Sequence, residues 1–143
     1  MIFLRTLFEG KGFVYPEWGI VLKRNYQDWF PVPDLTYISI ERLPSDVGNA
    51  MCPVPPELVI EIMSEEQTFK EFVAKAGDYL KAGILRVWII DPMSRTFTVF
   101  YPDHPPETYQ GDRLLTDELL PDLAATAEQF FVKARIRKLE SNS

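Results

Sequence analysis

The sequence predicts a mixed α/β (α+β) fold in which a central, mostly antiparallel sheet is flanked by helices. Three observations predict it. Short runs rich in β-branched and aromatic residues crowd the first part of the chain, an apolar strand, an amphipathic helix and a second apolar strand follow in that order, and a turn then leads into a further strand.

FLRTLF, WGIVLK and DLTYISI read as the first strands, separated by GKG and WFPVP, and are expected to pair as hairpins or a meander. An irregular stretch from Leu43 to Pro56 divides them from ELVIEIM. In ELVIEIM, Leu58, Ile60 and Ile62 face one way and Val59, Glu61 and Met63 the other. Both faces are mainly apolar, which predicts a central strand. Glu61 is the exception, because a carboxylate in that setting must be partnered, neutralised or bound to metal.

QTFKEFVAKAGDYLKAG predicts a helix with Phe69, Phe72, Val73, Ala76 and Leu80 on its buried stripe, Lys70, Glu71, Asp78 and Lys81 opposite, and Gly83 as the C-terminal cap. Lys75 falls at the border, one turn from both Glu71 and Tyr79. Ser64 reads as a cap of this segment. RVWIIDP is a continuous apolar strand, and FTVFYP after the turn PMSR is its expected hairpin partner. Strand, helix, strand predicts a right-handed crossover. From Thr126 to about Leu139 a helix is expected, with Ala127, Phe130, Phe131 and Ala134 inward and a basic end of Lys133, Arg135, Arg137 and Lys138.

No repeat, low-complexity block or Ser/Gly linker interrupts the 143 residues, so one domain spanning 1–143 is expected, with 133–143 partly a basic helical tail. A single cysteine, Cys52, forms no internal disulfide, and a reducing cytoplasm is the expected compartment. MIFLRTLF is too short for a signal-peptide core, and no apolar run approaches the roughly 20 residues needed to cross a bilayer, so no membrane partner is expected. The net charge of −6 argues against a protein that coats nucleic acid by bulk electrostatics. A carboxylate metal site is still compatible with it, because a bound divalent cation reverses the local potential where phosphate must approach.

Phosphodiester hydrolysis needs a cation, a positioned water and a group that orients or deprotonates that water. Asp34 opens one strand after Pro33 and Glu61 lies within another, so neighbouring strands would bring both carboxylates to one oxygen-preferring ion. Pro33-Asp34 followed by Glu61 in an apolar strand resembles the signature of the PD-(D/E)XK, restriction-endonuclease-like superfamily. That signature usually carries a lysine two positions after the glutamate, where this chain has Met63. The chain is more specifically similar to the Uma-two-type endonuclease branch, in which the lysine stands on the following helix. Glu61, Ser64, Lys75 and Tyr79, together with AKAGDYLKAGILRVWIIDP, carry that similarity, which runs from about Phe13 to Phe131.

The resemblance implies a restriction-endonuclease-like fold and a magnesium-dependent nuclease, with manganese as an alternative cation and nucleic acid as substrate. It implies Asp34, Glu61 and the backbone carbonyl of Ile62 as metal ligands and Lys75 in the role of the motif lysine. Gln67 would hydrogen-bond a water or a phosphate oxygen, and Tyr79 would support the site. Ser64-Glu65-Glu66 replaces the branch's usual Ser-Pro-Ser, and the branch's leading helix is expected to be missing or shortened. Two other readings stay open: a catalytically silent interaction or assembly module, and a nucleic-acid binder without cleavage. A homo-oligomer, in particular a dimer, is the expected state.

The remaining candidates read as structural. Asp91 before Pro92 suits a strand-ending turn, and His104 in DHPPE is a lone histidine that builds neither a zinc site nor a triad with Ser64. Trp18, Trp29 and Trp88 read as core or interface aromatics, and the basic tail as a solvated helix end.

Overall fold

The computed structural model describes residues 8–45, 50–121 and 123–132. Its main element is a six-stranded sheet in the order β1-β4-β5-β6-β7-β8. The strands are β1 (Gly12–Pro16), β4 (Leu35–Ser39), β5 (Leu58–Ile62), β6 (Arg86–Asp91), β7 (Thr96–Phe100) and β8 (Glu107–Gln110). Every pairing is antiparallel except β5 with β6. Among the described residues the long helix is α1 (Phe69–Lys81), which supplies the crossover that a parallel pair requires. Two small ribbons complete the described strands: β2 (Leu22–Arg24) with β3 (Gln27–Trp29), and β9 (Leu114–Leu115) with β10 (Ala125–Thr126). Among the described residues no helix is long and apolar enough to cross a membrane.

Alternation along the central strands divides the core in two. Leu58, Ile60, Trp88 and Ile90 point into one cluster, with Ala127, Phe130 and Phe131 from the helical residues 127–132. Val59, Val87 and Ile89 point into the other, where Phe72, Ala76 and Tyr79 of α1 meet them. Each fully buried aliphatic side chain of this kind contributes roughly 1.5–3 kcal/mol. The expected central strand, the β6–β7 hairpin and the inward Ala127, Phe130 and Phe131 are all present.

The expected helix forms, but its buried stripe is turned. Phe72, Ala76 and Tyr79 are buried, whereas Phe69 and Val73 are 43% and 42% exposed. The helix rolls so that Tyr79, rather than Phe69 and Val73, enters the core. Its N-terminal cap is Thr68, whose Oγ1 accepts from Glu71 N (3.3 Å), and not Ser64. The C-terminus closes as expected at Gly83, which has φ of 107°. Gly83 N donates to Leu80 O and Ile84 N to Tyr79 O, the paired bonds of a Schellman stop. Ile84, fully buried, anchors the chain as it turns into β6.

The first part departs further from expectation. The run WGIVLK contributes only Leu22 and Lys23 to a ribbon strand, with Ile20 bridging Cys52 outside it, and β4 pairs with GFVYP (β1) and β5. FLRTLF lies outside the described residues except for Phe8, a buried turn residue, and so does the question of a leading helix. Ala134 and the basic residues Lys133, Arg135, Arg137 and Lys138 also lie outside them.

Asp91 takes its expected turn role, accepting from Met93 N (2.9 Å) and Ser94 Oγ (2.9 Å). His104 stacks on Tyr101 in the loop after β7, with ring centroids 3.8 Å apart. Trp88 is a core residue, and Trp18 and Trp29 pack against the α1-side cluster. Asn25 and Tyr26 join β2 to β3 with φ of 53° and 66°. Two positive φ values in a two-residue loop make a type I′ turn, whose second position favours glycine. Holding Tyr26 there costs about 1–2 kcal/mol.

Candidate active site

The site forms where β4 begins, β5 ends and α1 crosses over both. Leu35 is paired with Ile60, so Asp34 comes opposite Glu61 at the next position of the antiparallel ladder. Alternation sends Asp34 and Glu61 to the face that carries Val59 and Ile38, the face covered by α1. The helix in turn brings Tyr79, and one turn earlier Lys75, onto Glu61.

Glu61 is 4% exposed. Burying a charged carboxylate is costly unless hydrogen bonds and an opposite charge replace its water, and three donors do so. Asp34 N donates to Oε1 (3.1 Å), Tyr79 Oη donates to Oε2 (3.2 Å), and Lys75 Nζ forms an ion pair with Oε2. Asp34 itself is exposed, and its Oδ2 accepts from Ile62 N (2.7 Å). The two carboxylates are thus cross-tied: the backbone of the Asp34 residue holds Glu61, and the backbone beside Glu61 holds Asp34.

Met63 N donates to Ile90 O (2.9 Å) on the β6 side. Ile62, one residue earlier, therefore turns its own N–H and carbonyl to the β4 edge, where Asp34 stands. The Ile62 carbonyl oxygen thereby points to the carboxylates' side of β5. Lys75 is 39% exposed at its side chain, so its ammonium bridges the buried Glu61 and the surface.

Tyr79 is wholly buried, and burial first, then the negative charge of Glu61, raises the ionisation of its phenol far above the ordinary tyrosine range. It stays a protonated donor to Glu61 at any physiological pH. Trp29 of β3 packs on the Tyr79 ring, with centroids 5.1 Å apart, and Lys75 Nζ lies 5.8 Å from the centre of that ring.

Gln67 is placed less directly. Its Oε1 accepts from Ser64 N and Ser64 Oγ (both 3.0 Å), which ties the turn between β5 and α1. Among the described residues no third His, Cys, Asp or Glu joins Asp34 and Glu61. Two carboxylates and a carbonyl nonetheless match the modest protein contribution that Mg²⁺ takes, since it keeps several waters and completes its shell with substrate phosphate. With Lys75 counted, the two carboxylates leave one net negative charge facing solvent, which favours a cation.

Sequence reasoning overlooked Trp29 as part of this site. Its contact with Tyr79 joins a ribbon to a helix far along the chain, and no local pattern signals such a contact.

A protein-family model described as "Uma2: Putative restriction endonuclease" matches residues 2–128. The chain belongs to the Uma2 family. This Uma2 chain is also similar in structure to a solved protein described as a putative nuclease belonging to DUF820 from Anabaena variabilis ATCC 29413. The TM-score is 0.76 at 20% identity, covering 90% of this chain and 74% of that one. At that identity the likeness establishes the fold, which is the mixed, mostly antiparallel architecture expected from the sequence. No curated protein matches the chain.

Proposed function

We propose that this Uma2-family chain is a magnesium-dependent nuclease that hydrolyses phosphodiester bonds of nucleic acid. One observation carries the reading: Lys75 Nζ, arriving from a helix, pairs with Glu61 beside Asp34, although the position two after Glu61 is Met63. A lysine, a glutamate and an aspartate then meet as the resemblance implies, without the usual spacing.

In this reading Asp34, Glu61 and the Ile62 carbonyl hold Mg²⁺, with Mn²⁺ as an alternative. The cation would neutralise charge on the phosphate and lower the pKa of a bound water. Tyr79 and the Asp34 amide fix the Glu61 carboxylate, so its position costs no reorganisation when substrate arrives. Lys75 keeps three N–H donors on a stem reaching the surface, and it orients the attacking water or holds a phosphoryl oxygen. Gln67 could turn its amide N–H groups towards a phosphate oxygen while its carbonyl stays with Ser64. The expected cytoplasmic setting and homodimer belong to the same proposal.

The test is cleavage of single- and double-stranded DNA and RNA by the purified chain. Cutting in magnesium, its loss in chelator and its return on adding magnesium back are expected. Products that persist unchanged in chelator, or no cleavage of any of the four substrates, would refute the reading.

A further inference from the structure

Beside the site, the tip of the β2–β3 ribbon and the last turns of α1 enclose a groove of about 520 Å³, lined by Lys23, Arg24, Asn25, Tyr26, Asp78 and Lys81. Three cations and one carboxylate line it, in a chain whose net charge is −6. Tyr26 is 102% exposed, so its ring packs against nothing, and it holds the positive φ that favours glycine. A fully solvated aromatic in an unfavourable backbone conformation gains nothing for the fold, and such outliers cluster at functional positions.

The groove cations are only loosely engaged. Lys23 pairs with Asp28 (2.6 Å) with both side chains well exposed, and Arg24 lies 3.9 Å from Asp78 and 4.8 Å above the Trp29 ring. Exposed pairs of this kind are worth little and exchange readily for phosphate. The ribbon is also mechanically joined to the site, through Trp29 on Tyr79 and Tyr79 on Glu61. Lys81 and Lys75 are separated by about 9 Å of helix rise and about 120° around the helix, so a strand gripped at the ribbon would pass round α1 to reach the carboxylates.

We infer that the β2–β3 ribbon is the grip for a single-stranded or locally unpaired nucleic-acid strand. Tyr26 stacks on an exposed base, and Lys23, Arg24 and Lys81 meet the adjoining phosphates. Stacking on a lone aromatic is tolerant of sequence and needs an unpaired base, whereas a closed duplex offers the tip only its backbone. The inference rests on the nuclease reading and adds the substrate class to it.

The test measures binding of short labelled single-stranded DNA and RNA oligonucleotides, and of a blunt duplex of the same sequence, by fluorescence anisotropy in chelator, so that nothing is cut. Tyr26→Gly suits the turn and keeps the fold; it should weaken single-strand binding about tenfold, with Tyr26→Phe restoring it. Lys81→Gln should weaken binding and flatten its salt dependence. DNA and RNA arms show which sugar is preferred. If Tyr26→Gly binds single strands as the wild type does, or the wild type prefers the duplex, the grip is refuted, while magnesium-dependent cleavage by both proteins leaves the nuclease reading standing. If the wild type neither binds nor cuts any probe, both fall.

Discussion

Glu61→Gln is expected to abolish magnesium-dependent cleavage while leaving the fold intact. Several kcal/mol of charge stabilisation rest on the ligand set, and at about 1.4 kcal/mol per tenfold the loss should be on the order of a thousandfold. The fold survives for a specific reason. Glutamine can still accept from Asp34 N through its oxygen, its amide can donate to the Tyr79 oxygen, and Lys75, already part-exposed, swings into water. Single-turnover cleavage alongside circular dichroism checks the prediction. A variant that cuts at the wild-type rate removes Glu61 from the chemistry.

Lys75→Met separates the lysine's role from the carboxylates'. Methionine preserves the apolar stem at the helix border and deletes the ammonium. Turnover should fall about a hundred- to a thousandfold, the range seen when one group that stabilises transition-state charge is removed. Magnesium affinity should rise rather than fall, because Lys75 now competes for Glu61 Oε2. Saturation kinetics in magnesium distinguish the two effects. A large loss of magnesium affinity with turnover unchanged would make Lys75 a structural support of the carboxylates instead.

Glu61 and Tyr79 show how far local pattern reaches. A lone carboxylate in LVIEI announces itself because burial must be compensated, and Asp34, Glu61 and Lys75 could all be named from the sequence with the help of the family resemblance. Their meeting depends on the β4–β5 register and on the roll of α1, which no single segment encodes. The same roll explains why Phe69 and Val73 face solvent: helical spacing defines a stripe about 100° wide, and the packing of Tyr79 against Trp29 and Glu61 chooses its centre.

The overlooked strands share a cause. GFVYP at one sheet edge and ETYQ at the other are short and mixed in polarity, and they become strands by pairing with β4 and β7. Pairing partners distant in sequence override weak intrinsic preference. By contrast RVWIID and the Gly83 stop carry their structure locally, one as a doubly buried run and the other through the left-handed conformation at its glycine.

The convergence of Asp34 and Glu61 on one cation is tested most directly by calorimetric titration of magnesium into the wild-type chain and into Asp34→Asn/Glu61→Gln, with circular dichroism showing both folded. Saturable binding by the wild type that is absent from the double variant is the predicted result. Equal binding by the two proteins, or none by the wild type, would contradict it.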